Sequence, residues 1–127
     1  MDTNRELLER LWSTDGPLAL SAEAEHELRT DDYVLELPQS GERIVGRDRV
    51  REMQREYPAP PSIQILRITG AGDNFVVLGR SDYGGDIYYV ANVVEFRDGR
   101  IARETRIYGP PFDPPQWRAK YASSAAD

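Results

Sequence analysis

Hydrophobic positions fall into two regimes along the chain. Through residue 57 they recur at helical spacing. From 63 to 108 they form four apolar runs separated by Gly, Asp and Asn turns, with no helical period. Helical patterns followed by a meander of long strands predict an α+β domain whose sheet curls around its helices. Thr3 and Glu6 make a capping-box pair for a first helix, and Leu7, Leu8, Leu11 and Trp12 form its apolar stripe, ended by Asp15-Gly16-Pro17. Ser21 is the expected N-cap of a second helix, with Ala22, Ala24, Glu25 and Leu28 on one side and Asp31-Asp32 closing it. A short strand follows over 33–38, and Gly41 and Gly46 bracket a turn and a short extended piece. The third helix spans 47–57 on Val50, Met53 and Tyr57, and stops at Pro58, Pro60 and Pro61.

Four strands are predicted next. In 62–69 the apolar phase switches between Ile65 and Leu66, the sign of a bulge or of burial on both faces. The centres of 75–81 and 87–96 are nearly all apolar, so one face should meet helices and a pocket and the other a second subunit. Asp98-Gly99 suits a type I′ hairpin turn into the last strand, 101–108. Period-two alternation there puts Glu104, Arg106 and Tyr108 on one face and Arg103, Thr105 and Ile107 on the other. The proline-rich stretch 109–115 cannot join a ladder, and carries Phe112, Trp117 and Tyr121 over the surface, where docking onto the domain is expected. Residues 1–122 are thus read as a single domain and 123–127 as a disordered tail.

Composition narrows the function classes. A net charge of −6 argues against sequence-independent binding to nucleic acid or to anionic membranes. The absence of cysteine removes disulfides, thiol catalysis and thiolate metal sites, and a single histidine, His26, removes a histidine-rich metal centre. His26 itself reads as a surface residue with Glu23 three positions away. The N-terminus lacks a signal-peptide pattern and no apolar run reaches membrane-spanning length, so a soluble cytoplasmic protein is expected. Arg47, Arg49, Arg51 and Arg55 alternate with Asp48, Glu52 and Glu56 and read as a salt-bridged face.

Three stretches in this order resemble the SnoaL-like group of the nuclear transport factor 2-like superfamily. They are 32–47 (DYVLELPQSGERIVGR), 93–104 (VVEFRDGRIARE) and 108–118 (YGPPFDPPQWR). The resemblance implies a cystatin-like cone: a strongly bent antiparallel sheet around three N-terminal helices, a mouth that takes a small apolar molecule, and a homodimer through the outer sheet face. It implies no cofactor and no metal. Relatives include ketosteroid isomerases and polyketide cyclases alongside members with no chemistry, so the site has to decide.

Set against the isomerase pattern, Leu37 stands before Pro38 where the catalytic aspartate is expected, and no tyrosine matches on the first helix, where Leu8 and Trp12 lie nearby. Asn92 stands where that pattern has an oxyanion-hole acid; an amide donates a hydrogen bond without a raised pKa. Asn92 shares a face with Tyr88, Val90, Val94 and Phe96, and would take Tyr88, Tyr108, a water or a ligand carbonyl as its partner. The cyclase pattern places acid/base groups on the last strand, which points to Glu104 beside Arg106. The alternative is that both charges simply pair with their neighbours. The candidate catalytic residues are therefore Asn92 (carbonyl polarisation), Glu104 (proton transfer) and Tyr108 (hydrogen-bond donor). The candidate ligand contacts are Trp12, Leu37, Tyr88, Val90 and Arg106. One function expected from this set is a cofactor-independent cyclase, isomerase or dehydratase acting on an apolar carbonyl compound. The other is a non-enzymatic ligand-binding or protein-interaction module of the same fold. Leu37 leaves the choice open.

Overall fold

The structure, a computed structural model, describes residues 3–12, 22–56 and 62–123. Its elements are α1 (Thr3–Leu11), α2 (Ala22–Glu27), β1 (Arg29–Leu37), β2 (Glu42–Val45), α3 (Arg47–Glu56), β3 (Ser62–Ala71), β4 (Asn74–Tyr83), β5 (Asp86–Arg97), β6 (Arg100–Gly109) and a terminal 3₁₀ helix (Gln116–Tyr121). The expected N-cap Ser21, the helix stop at Asp15-Gly16-Pro17 and Tyr57 lie outside the described residues.

The strands form one open sheet in the order β2-β1-β6-β5-β4-β3. Its pairs are antiparallel except one: β1 runs parallel to β6. That corrects the expectation of a purely antiparallel sheet. β6 ends the meander and takes as its second neighbour a strand that precedes the meander in the chain. β1 also begins four residues earlier than expected, at Arg29, and absorbs Asp31 and Asp32. The Ile101 amide donates to the Leu28 carbonyl (2.8 Å) and Arg29 pairs with Ile101, so pairing to β6 takes these residues from the end of α2.

Register shifts set which side chains face inward. The β3–β4 register shifts between Ile65 and Arg67, where the phase switch predicted it, and leaves Leu66 exposed. The β5–β6 register skips Ala102, so Ile101 and Glu104 both face the core while Arg103 faces out. The core joins Leu8, Leu11 and Trp12 of the α1 region to Tyr33 and Leu35 of β1, Val50 of α3, and Phe75, Val77, Val94, Phe96 and Ile101 of the sheet. Phe75 and Phe96 meet edge to face at 5.8 Å. Met53, expected on the buried stripe of α3, is 38 % exposed; Val50 alone on that helix is buried. The start of α1 is tied to the β3–β4 turn by Asn4 Nδ2 donating to the Gly72 carbonyl (2.8 Å).

The 3₁₀ helix corrects another expectation. Phe112, Trp117 and Tyr121 are 79 %, 71 % and 76 % exposed and dock on no part of the described chain. The proline-stiffened arm leaves the sheet after Gly109.

Asp98 (φ 53°) and Gly99 (φ 79°) both occupy the left-handed region, as a type I′ turn requires. Gly70 has φ 131°, and a Cβ there would meet the Asn74 carbonyl oxygen at 2.3 Å and the Phe75 Cα at 2.8 Å. Around Gly99 the space is open. Gly99→Ala is expected to destabilise the fold by about 1–2 kcal/mol from backbone strain alone. Gly70→Ala adds a backbone clash and should cost at least about 3 kcal/mol. Urea unfolding of the two variants checks the order; equal losses would refute the close-packed corner at Gly70.

Candidate functional site

β6 lies between β1 and β5, and its inward residue Glu104 is registered with Leu35 on one side and Val94 on the other. All three are fully buried. A carboxylate in an apolar row is untenable unless charges and donors surround it. They do. The Tyr33 hydroxyl donates to Glu104 Oε2, Asn92 Nδ2 donates to Oε1 at 2.6 Å, and the Arg106 guanidinium donates to Oε1 at 3.2 Å. The Arg29 guanidinium stands 3.9 Å from Oε2. Burial by itself would push the Glu104 carboxyl up. Arg106, Arg29 and the hydrogen bonds from Tyr33 and Asn92 reverse this and hold it at about 2. The group is a fixed anion at neutral pH. Burial, and then the Glu104 charge, push the Tyr33 phenol well above its ordinary range, so Tyr33 is a neutral donor. Burial would lower Arg106, but the Glu104 charge outweighs it and keeps Arg106 a cation.

The cluster continues toward the helices. Arg29 donates to Glu25 Oε2 (3.2 Å) and to Gln54 Oε1 (3.2 Å), Gln54 Nε2 donates to the same Glu25 oxygen (2.6 Å), and the Arg29 guanidinium lies over the Tyr33 ring at 4.9 Å. Two guanidiniums therefore face two carboxylates, Glu25 and Glu104. Sequence reasoning missed Tyr33, Arg29 and Glu25. Signals for them existed: Tyr33 is in phase with Leu35 and Leu37, and Glu25 and Arg29 have helical i, i+4 spacing.

Of the predicted residues, Asn92, Glu104 and Arg106 come together. Asn92 is registered with Arg106, and Val90 with Tyr108. The partner of Asn92 is Glu104, none of those expected for it, because the amide reaches diagonally across the β5–β6 pair. Tyr88, Val90, Arg106, Tyr108 and Leu37 are half-buried, toward the end of the inner face away from the Asp98-Gly99 hairpin. Trp12 is buried in the core cluster. The Tyr108 backbone is fixed by Gln39, whose side chain bonds both its amide and its carbonyl, extending the ladder past the end of β1. Exposure on the inner face of β5 and β6 thus rises from Val94 and Glu104, fully buried, through Asn92, to Val90, Tyr88 and Tyr108.

His26 is not the surface residue expected. It is 6 % exposed, and its Nε2 lies 2.7 Å from Asp48 Oδ1 on α3. This bond is the first cause holding the Asp48 carboxyl below its ordinary value. Glu23, the expected partner, instead pairs with Arg51 (3.6 Å) and Arg55. Within α3 Arg51 pairs with Asp48 at 3.6 Å, while Arg47 reaches Asp31 of β1 at 2.8 Å.

A surface depression of about 450 Å³ lies at the hairpin end of the sheet, lined by Thr30, Asp31, Asp32, Arg97, Asp98 and Arg100. Its lining is charged, with Asp32 paired to Arg97 and Asp31 to Arg47, so its chemistry does not suit an apolar ligand. Among the described residues no group of three or more His, Asp or Glu is placed to hold a metal ion, and no helix is long and apolar enough to cross a membrane.

Residues 6–104 match the family described as SnoaL-like domain. The chain belongs to this family. Similar solved structures include an NTF-2 like protein of unknown function from Burkholderia xenovorans LB400, 31 % identical over 96 % of this chain and 94 % of that one, with a TM-score of 0.84. A candidate ketosteroid isomerase from Kribbella flavida DSM 17836 is 25 % identical over 97 % and 90 % of the two chains, with a TM-score of 0.79. A candidate SnoaL-like polyketide cyclase from Jannaschia sp. CCS1, 16 % identical over 84 % and 85 %, shares the fold with a TM-score of 0.64. No curated protein matches the sequence. Membership of the SnoaL-like domain family sets the architecture of the site and leaves its chemistry to the side chains just described.

The depressed Glu104 carboxyl has a consequence for stability. Its folded value, about 2, lies below the ordinary 4.5, so it stabilises the fold above about pH 4.5 and this contribution is lost as pH falls toward 2. The contribution is on the order of 3 kcal/mol. Glu104→Gln should destabilise the protein by about 3–5 kcal/mol at neutral pH, leaving Arg106 and Arg29 without their shared anion. That gap should narrow steadily as urea unfolding is repeated at lower pH. A gap that stays constant to about pH 3 would show that Glu104 is not held ionised.

Proposed function

We propose that this chain is a small-molecule pocket protein that binds an apolar carbonyl compound at the open end of the inner sheet face, without a cofactor, and polarises its carbonyl by hydrogen bonding. The observation that carries this reading is the position of Arg106. Its guanidinium is anchored at one corner by the buried Glu104, yet 22 % of the side chain remains exposed, among half-buried Tyr88, Val90, Tyr108 and Leu37. A cation fixed in an apolar, partly dry surround polarises a carbonyl more strongly than one in water.

Asn92 and Glu104 take supporting roles in this reading. The Asn92 amide donates to Glu104. Glu104, held at about 2, is a weak base and is already ionised, so its work is to orient and charge-balance Arg106. Tyr108 is the second donor to the ligand oxygen. The chemistry this supports is led by the electrophile: enolisation, cyclisation or dehydration in which solvent water takes the α-proton while Arg106 stabilises the charge developing on the carbonyl oxygen. Simple binding without turnover is the second reading, favoured by Leu37 at the position where a base is expected.

The outer face supports a homodimer. Val76, Tyr89, Val93 and Ile107 are exposed there, with Leu78 and Ala91 half-buried between them in register. A contiguous apolar patch on a sheet is the signature of an interface.

Calorimetric titration with indanone, an apolar cyclic ketone, is the direct test. The native protein is expected to bind it, and Arg106→Gln to weaken binding at least about tenfold. Arg103→Gln, on the opposite face of the same strand, is expected to leave it unchanged. Equal binding by all three would remove Arg106 from the site. Deuterium exchange at the ketone α-carbon in heavy water, followed by NMR, then separates the two readings: accelerated exchange marks an enzyme, unaltered exchange a binding protein. Native mass spectrometry should record a dimer that Ile107→Asp converts to monomer; a monomer from the native sequence would end the outer-face proposal.

A further inference from the structure

We infer that the ligand of this site carries, beside its carbonyl, a hydroxyl that donates a hydrogen bond to Asn92 Oδ1: an apolar β-hydroxy carbonyl compound. The inference rests on the pocket reading above and names the class of molecule within it. Asn92 is 5 % exposed, and its Oδ1 is buried with no hydrogen-bond partner among the described residues. The orientation of the amide is not arbitrary. Turning it over would set a carbonyl oxygen against the ionised Glu104 and forfeit the 2.6 Å bond from Nδ2. The carboxylate therefore fixes which atom is left over, and that atom is an acceptor.

Nothing nearby among the described residues satisfies it. Asn92 is registered with apolar Val77 on β4, and its neighbours along the inner face of β5 are Val90 and Val94. The Tyr33 hydroxyl and one corner of Arg106 are turned to Glu104. An unpaired buried acceptor costs about 1–3 kcal/mol, which a donating ligand recovers on binding. Asn92 is also the last buried position before the inner face begins to open at Val90.

The spacing defines the ligand. Asn92 and Arg106 stand directly opposite one another across β5 and β6, with Cβ atoms about 4.5–5.5 Å apart. Asn92 Nδ2 and the Arg106 guanidinium also donate to the same Glu104 oxygen, at 2.6 and 3.2 Å, so an acceptor and a cationic donor lie side by side and match a hydroxyl and a carbonyl in β relation. A site with an unpaired polar group discriminates strongly against the analogue that leaves it unpaired.

The test compares indanone with β-hydroxyindanone, which share one ring skeleton, on the full chain. The native protein is expected to bind β-hydroxyindanone about tenfold or more tightly. Asn92→Ala should reduce that ratio to near one. Should the variant fail to fold, NMR of the native protein decides: the Asn92 side-chain amide should shift with β-hydroxyindanone and not with indanone. Equal affinity for the two ketones, an equal or absent amide shift, or a preference that survives Asn92→Ala would overturn the inference and leave the pocket reading standing. Binding of neither compound would remove the pocket reading and the inference with it.

Discussion

Burial of the Glu104 carboxylate between Leu35 and Val94 is the constraint around which this structure is arranged. Such an anion, unsupported, would neutralise or unfold its surroundings. Here four groups come to it from different parts of the chain: Tyr33 and Arg29 from β1, Asn92 from β5 and Arg106 from β6 itself. The parallel pairing of β1 with β6 is what brings Tyr33 and Arg29 within reach. Arg29 in turn needs Glu25 and Gln54, which fixes α2 and α3 against the same point. One desolvated charge thus ties sheet and helices together. This network specifies a single arrangement more than it adds net stability, because a well-packed apolar residue in place of all the charges would avoid the desolvation altogether.

The same charge divides the interior. On the hairpin side of Glu104 the inner face is sealed by Phe75, Val94, Phe96 and Ile101. On the other side it opens through Val90, Tyr88 and Tyr108. Arg106 sits at the division, half-buried and donating to Glu104. The anion that makes the guanidinium affordable in the interior also fixes its position.

Much of this was legible from residue order alone. Period two in β6 correctly put Glu104, Arg106 and Tyr108 on one face, because the bulge at Ala102 falls before that run and does not disturb its phase. The switch at Ile65–Leu66 announced its bulge, and Asp98-Gly99 its turn. What could not be read was pairing between segments distant in sequence. Asn92 and Glu104 were each placed facing inward, yet their mutual bond depends on the β5–β6 register, which the hairpin turn and the Ala102 bulge set together. The parallel β1–β6 contact spans some seventy residues, and no local pattern encodes it. His26 was misjudged for the same reason: its partner, Asp48, lies on another helix, and only the packing of α2 on α3 brings them to 2.7 Å.

A shared architecture does not carry a shared reaction. A base-led isomerisation needs a carboxylate that gains a proton from carbon, so its pKa must be kept within reach of neutrality. Leu37 offers no carboxylate, and Glu104 is held at about 2 by two guanidiniums and two neutral donors. Every interaction that allows Glu104 to be buried also lowers its basicity, so a sealed, charge-paired carboxylate and a strong base are mutually exclusive at this position. The electrostatic asset that remains is the cation. A fixed guanidinium stabilises negative charge developing on a substrate oxygen without itself changing protonation, and it does so most effectively where water is excluded and the dipoles need not reorganise. The electrophilic reading proposed for this interior follows from that asymmetry between its cation and its anion.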